Sequence, residues 1–360
     1  MSTSLASRTS PTDGARADIA GIAAAASPAP ARAPGWREMV APYERPDVGR
    51  ATWQVVTTLG LFCLALYLTY RSLALPYWVT LAAAVPTAAF LMRTFMLMHD
   101  CAHGSLFPSR RVNDALGFVA GVLTLTPYVQ WRRDHVLHHA SAGDLDRRGH
   151  GDVLTLTVRE YLARTPWGRF RYRLYRHPLV MLGLGPLHLA VGQRWRPRGT
   201  ATGDKEVASV LATNVALVAL VAIAWATIGL SALLLVYGPV FMLAGAGGIW
   251  LFYVQHQFEG TSWQPHATWE YAAAALDGSS YFKLPRPLQW VTCSIGLHHL
   301  HHLSPRVPNY RLQECQDGNP AFHDVTVVTV RDSLRAFSLK LWDEDTTRLV
   351  DFRFAHRAAR

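Results

Sequence analysis

Four apolar runs restrict this chain to a small set of folds. Thr52 to Thr69 contains no charged residue, Leu75 to Met98 only Arg93, and Val207 to Thr227 and Ile228 to Gln255 none. A bilayer's hydrocarbon layer is roughly 30 Å thick and takes about 20 helical residues to cross, so each run predicts one transmembrane helix. The runs come in pairs joined by short connectors, Tyr70 to Ala74 and Thr227 to Ser231, and each pair therefore predicts a hairpin. Between the pairs lie fifteen of the 32 arginines, among them Arg110, Arg111, Arg132, Arg133, Arg147, Arg148, Arg169 and Arg194. By the positive-inside rule this central segment is cytoplasmic, and two hairpins then place both termini on that side too.

Composition agrees with a multi-pass protein, here expected in a bacterial inner membrane. Half of the 360 residues are hydrophobic and 17% are charged, with a mean hydropathy of +0.09. The net charge of +10 invites a nucleic-acid reading. However, the arginines flank apolar spans and no zinc-finger, helix-turn-helix or aromatic RNA-binding pattern occurs, so anionic lipid headgroups are the expected partner. Cys63, Cys101, Cys293 and Cys315 form no Cys-x-x-Cys pair, and disulfides are not expected in a cytoplasmic polar region.

Residues 1–47 are rich in Ala, Pro, Ser and Arg, and read as a disordered cytoplasmic leader. The body extends over 48–345, followed by a basic tail at 346–360. Asp114 to Tyr128 is too short to cross, and reads as a re-entrant or in-plane helix. Trp131 to Lys205 mixes arginines with aromatics and predicts amphipathic helices in the interface. A β-like stretch at Val325 to Val330 and a helix from Asp332 to Leu341 close a cytoplasmic cap. The fold expected is thus an all-α integral membrane protein.

Chemistry is concentrated in histidines. His298, His301 and His302 repeat the spacing of His135, His138 and His139, while His99 and His103 stand four apart. On helices these spacings put each set on one face and turn His299 away from its neighbours. An isolated histidine is most often structural, and His150, His177 and His188 are read so. Three embedded rows are different: eight imidazoles exceed what one ion takes, which points to two metals sharing a site. His256 follows the last apolar run as His99 follows the second, and it is added as a ninth ligand in preference to His266. Asp100, Asp134 and Glu259 are placed to orient ligand imidazoles by accepting their free N–H. Arg93 is expected to snorkel to the headgroups or to pair with Asp100. Imidazole by itself suits Fe, Zn, Cu and Ni alike.

These clusters, in this order against four spans, resemble the histidine boxes of the membrane fatty acid desaturases. The segments His99-Asp100-Cys101-Ala102-His103 and Leu297 to Leu312 look closest to the acyl-lipid omega-6 (Δ12-type) branch. Ala102 and Cys315-Gln316 depart from that pattern without touching a proposed ligand. The resemblance implies two non-haem irons, dioxygen as co-substrate and a lipid-linked or carrier-linked acyl chain as substrate. No haem-binding His-Pro-Gly-Gly or Rossmann glycine fingerprint occurs, so electrons would come from a separate ferredoxin or cytochrome. Hydroxylation or ketolation of a carotenoid or alkane is the alternative within the same chemistry. A metal transporter is the alternative from another class, but it would place ligands near mid-bilayer, where these spans are nearly bare.

Overall fold

The computed structural model describes residues 33, 35–149, 153–195 and 203–358. Four of its helices are long and apolar enough to cross a membrane: α2 (Val48–Arg71), α3 (Tyr77–His103), α8 (Asp204–Thr227) and α9 (Leu230–His256). Helices bond most of their backbone internally, as a segment in hydrocarbon must, and where Pro239 of α9 lacks an N–H the Leu235 carbonyl accepts from the Tyr77 hydroxyl of α3 at 3.1 Å. The central one is α3. Half of its apolar window is buried, against 11% for α8 and for α9. It packs on α2 and α9 through small residues, Ala84, Ala88 and Ala244, beside Phe62, Leu91 and Val240. Short side chains let helix backbones approach closely, and hydroxyls bond across the first hairpin, Thr69 to Thr87 at 2.8 Å and Ser72 to Thr80 at 3.0 Å.

Arg93 neither snorkels nor meets Asp100. It is buried, its Nε donates to Thr58 of α2 at 2.9 Å, Nη1 donates to the Trp290 carbonyl, and the guanidinium lies 4.0 Å from the Trp290 ring centroid. Thr58 and Trp290 lie on neighbouring elements, so the side chain turns inward between packed helices.

Between the hairpins, α4 (Arg110–Leu123) and α5 (Tyr128–Ser141) form a helix pair bent by 102°. Glycine makes the elbow possible. A Cβ on Gly117 would lie 2.4 Å from the Tyr128 ring, and one on Gly121 2.6 Å from the Thr126 carbonyl oxygen. The Tyr128 hydroxyl then donates to the Cys101 carbonyl at 2.9 Å, which ties α5 to the end of α3.

Beyond α5, helix α6 (Pro166–Tyr175) carries the arginines expected of an interfacial segment. Its successor α7 (Pro178–Trp195) differs from expectation: it is apolar for most of its length rather than amphipathic, and lies along α9. Gly245 of α9 admits Pro186 of α7, where a Cβ would stand 2.6 Å away.

Two small sheets brace the polar half. Strand β1 (Leu156–Thr157) runs parallel to β4 (Leu341–Asp343), and β4 pairs antiparallel with β5 (Arg348–Val350). Strand β2 (Tyr281–Phe282) pairs in parallel with β3 (Val327–Val328). The stretch expected to be β-like therefore contributes β3, and the helix expected over Asp332 to Leu341 is Val330–Ala336. Residues 346–358 are no tail: they supply β5 and the helix Phe352–Ala358.

Part of the expected leader belongs to the folded body. Residues 1–32 and 34 lie outside the described residues, but α1 (Trp36–Val40) and the turn Ala41–Tyr43 are ordered. Val40, Trp36 and Tyr43 pack against Leu297, Leu300 and Leu303, so apolar contact offsets the ordering entropy there.

Candidate metal centre

Helix α3 continues past its apolar run to His103 and puts His99 and His103 one turn apart. It stops at Gly104, whose φ of 69° is left-handed and whose N–H caps the Asp100 and Cys101 carbonyls. Helix α5 supplies His135, His138 and His139, and His256 is the last residue of α9. The third box is α10 (His298–Leu303). Leu297, Leu300 and Leu303, three residues apart, enter the core cluster, which leaves His298, His301 and His302 on the opposite side.

The nine proposed ligands converge into two groups. His99, His103, His135, His139 and His301 form one, and His138, His256, His298 and His302 the other, with donor nitrogens in each group within 4.8 Å of one another. Consecutive residues divide the pairs: His138 and His139 go to different groups, as do His301 and His302. Two ions held this way would share α5 and α10.

The donor set fits metal. His139 Nε2 lies 3.1 Å from His135 Nε2 and 3.0 Å from His301 Nε2. In the second group, His256 Nε2 is 3.2 Å from His138 Nε2 and 3.0 Å from His298 Nε2. Donors held about 2.1 Å from one ion at right angles stand roughly 3 Å apart. His103 Nε2 and His302 Nε2, one in each group, are buried without a hydrogen-bond partner. Burial and neighbouring imidazoles hold His298, His301 and His302 well below the usual histidine range, so they are neutral and able to ligate.

Asp100 sits against the first group. Its carboxylate lies 3.2 Å from His99 Nδ1 and accepts from the Asn309 backbone N–H at 2.8 Å and side-chain N–H at 2.7 Å. Asn309 in turn exchanges two bonds with Gln54 of α2. Asp134 precedes His135 and is half-buried. Glu259 is placed otherwise than expected: it is exposed, beside Asp332 and Arg335, and among the described residues hydrogen-bonds to none of the nine imidazoles. Helix α9 ends at His256, and the left-handed Gly260 (φ 90°) follows in the loop that takes Glu259 to the surface.

His299 is fully buried and donates from Nε2 to Gln316 Oε1 at 2.9 Å, outside both groups. Burial pushes it down to about 4. His266 is exposed and bonds Asp144 at 2.7 Å, and His177 and His188 are exposed as well. His150 lies outside the described residues.

Sequence reasoning missed the aromatic supports. The Trp131 ring stacks on His135 at 4.4 Å and 19°. Phe252 lies 5.2 Å from His138 and 5.3 Å from His256. Each stands four residues before a proposed ligand, the helical spacing that could have revealed it.

Comparison with known proteins agrees with this geometry. The family profile described as "Fatty acid desaturase" matches residues 72–329, which covers all nine histidines. The chain is 43% identical over 317 residues to a "Fatty acid desaturase" of Bacillus subtilis (strain 168), covering 88% of this chain and 90% of that one. The chain belongs to the fatty acid desaturase family. This desaturase is also 27% identical over 283 residues to the "Temperature-sensitive sn-2 acyl-lipid omega-3 desaturase (ferredoxin), chloroplastic" of Arabidopsis thaliana. It is 26% identical over 268 residues to an "Omega-6 fatty acid desaturase, chloroplastic" of the same plant. These two alignments cover 73% and 72% of this chain, but 60% and 56% of the plant proteins. The desaturase is thus an oxidoreductase of lipid metabolism with a histidine cluster able to hold metal.

Proposed function

We propose that this desaturase holds two iron ions in its nine-histidine centre and uses dioxygen to introduce a cis double bond of omega-6 (Δ12) type into a lipid-linked or carrier-linked acyl chain. The observation that carries the reading is the division of nine imidazoles, eight buried and that of His103 half-buried, into groups of five and four with no carboxylate among the donors. Bound iron supplies the activation of dioxygen and the removal of hydrogen from an unactivated methylene.

The chain's own residues do the rest. His99, His103, His135, His139 and His301 hold one ion, and His138, His256, His298 and His302 the other. Asp100 accepts the Nδ1–H of His99 and so leaves Nε2 unprotonated and directed to metal. Phe252 and Trp131 wall the ligands with apolar surface, which excludes water from the centre. Over the whole reaction one hydrogen leaves each of two adjacent methylenes, two external electrons and two protons enter, and dioxygen becomes two water molecules. A separate ferredoxin or cytochrome delivers the electrons. The metal side, both termini and the donor are cytoplasmic, and the four spans cross the bacterial inner membrane.

Expression in a host fed defined monoenes, with fatty acids read by gas chromatography and mass spectrometry, tests the reaction. A new dienoic acid with its added bond at the omega-6 position is expected. Oxygenated terpenoid or alcohol products in its place would overturn it. Reporter fusions at Ala74 and Gly229 are expected to read external and a fusion at Gly151 internal; an external Gly151 would refute the orientation.

A further inference from the structure

Arg176 is fully buried and, among the described residues, has no carboxylate partner. A guanidinium in that condition is costly unless its hydrogen bonds are met by fixed acceptors. Its Nη1 donates to the Leu154 carbonyl at 3.0 Å, Thr155 Oγ1 at 2.9 Å and the Tyr172 hydroxyl at 3.3 Å. Its Nη2 donates to the Tyr253 hydroxyl at 3.0 Å, Gln257 Oε1 at 3.0 Å and the Leu339 carbonyl at 3.1 Å. Four separate pieces of chain meet on this one side chain: the segment before β1, α6, the end of α9, and the segment before β4.

Two of the six acceptors, Tyr253 and Gln257, flank His256. That ligand is unlike the other eight. Each of them shares its helix with a second proposed ligand, whereas His256 stands alone at the last position of α9, where helices fray. Its neighbours hold it from both sides. Gln255 Nε2 donates to the Ile295 carbonyl at 2.9 Å, just before the third box. Gln257 Nε2 donates to Thr155 Oγ1 at 3.1 Å, while its Oε1 accepts from Arg176.

We propose that Arg176, acting through Gln257, is a positioning residue for His256 and thereby for the four-histidine metal alone. This inference rests on the two-iron reading above. The Arg176 contact fixes the backbone at residue 257, sets where α9 ends, and aims the His256 ring at His138, His298 and His302. The five-histidine group has no member in this network and does not depend on it.

The test is iron stoichiometry in the full-length protein purified in detergent, with size-exclusion chromatography as the check on folding. Wild type is expected to hold two irons per chain, and His256→Ala one. Fewer than two in wild type, or two in His256→Ala, would refute the parent reading. With those controls in place, Gln257→Leu and Arg176→Met are expected to be monodisperse and to hold one iron per chain, with a Mössbauer spectrum of an isolated rather than a coupled ion. Gln257→Glu keeps the acceptor for Arg176 and is expected to hold two. Should Arg176→Met aggregate, the Gln257 pair decides by itself. Two irons in Gln257→Leu would overturn the inference, and so would loss of both irons from a monodisperse Gln257→Leu, because the effect would then not be confined to one ion.

Discussion

The Nε2 atoms of His256 and His298 stand 3.0 Å apart, although 42 residues separate them in the chain. Neither can donate to the other unless one carries its proton on Nε2. Shared coordination of one ion satisfies both at that distance. With His138 and His302, they make the smaller of the two imidazole groups.

The contrast between His299 and its neighbours gives the sharpest test of this assignment. Alanine at His298, His301 or His302 is expected to lower bound iron and abolish product. His299→Ala is expected to keep near two irons and substantial turnover, while leaving buried Gln316 without its donor at a cost of about 1–3 kcal/mol. Iron content and thermal unfolding of the four variants measure the difference. Equal iron loss at all four would place His299 in the centre after all.

His256→Ala is expected to lose turnover as completely as His139→Ala. His266→Ala, His177→Ala and His188→Ala are expected to keep both iron and activity, since all three side chains are exposed and away from both groups. Product assays across this set check the assignment, and an inactive His266→Ala would count against it.

Asp100 gives a test on the five-histidine side. Asp100→Asn leaves the side chain its size but removes the charge-assisted acceptor for His99 Nδ1. Changes to such supporting residues typically weaken metal binding by about 10–100-fold, and iron retention during chelator dialysis is expected to fall on that scale. Asn309→Leu removes one of the carboxylate's donors and is expected to act in the same direction, less strongly.

Gly117→Ala and Gly121→Ala are expected to destabilise the elbow that aims α5. Each adds a methyl group where a ring or a carbonyl oxygen already lies within 2.6 Å. Overpacking of this kind costs roughly 1–3 kcal/mol, readable as a lower melting temperature in detergent. Unchanged melting in both would mean that the elbow relaxes freely.

Lys340 gives the pH dependence. Its amine is buried, donates to the Arg176 carbonyl at 2.5 Å, and is pushed by burial from 10.5 down to about 7, with the Arg176 charge adding to the effect. Between those two values the unfolded chain binds a proton that the folded one does not, so stability rises with pH across this window. Thermal unfolding from pH 7 to 10 is expected to show that rise, and Lys340→Met to flatten it. An equal slope in the variant would assign the effect to other groups.

Sequence by itself determined the spans, the hairpins and which histidines share a helix face, because each signal is local. Apolar runs of membrane length announce α2, α3, α8 and α9 wherever they pack, and imidazoles at helical spacing share a face whatever lies opposite. The leucines of the third box show why His299 was separable too: one helical period sends Leu300 to the core and His301 to the metal.

Tertiary structure alone decided how the nine histidines divide into groups of five and four. Periodicity cannot say that His138 and His139 join different groups, since that depends on where α9 and α10 meet α5. Only packing put Asn309 on Asp100, turned Glu259 to the surface, and buried Arg176 beside Gln257. It likewise ordered residues 36–43 and 346–358, whose few apolar side chains gain their contacts from distant parts of the chain. Such long-range contacts leave no repeat in the sequence.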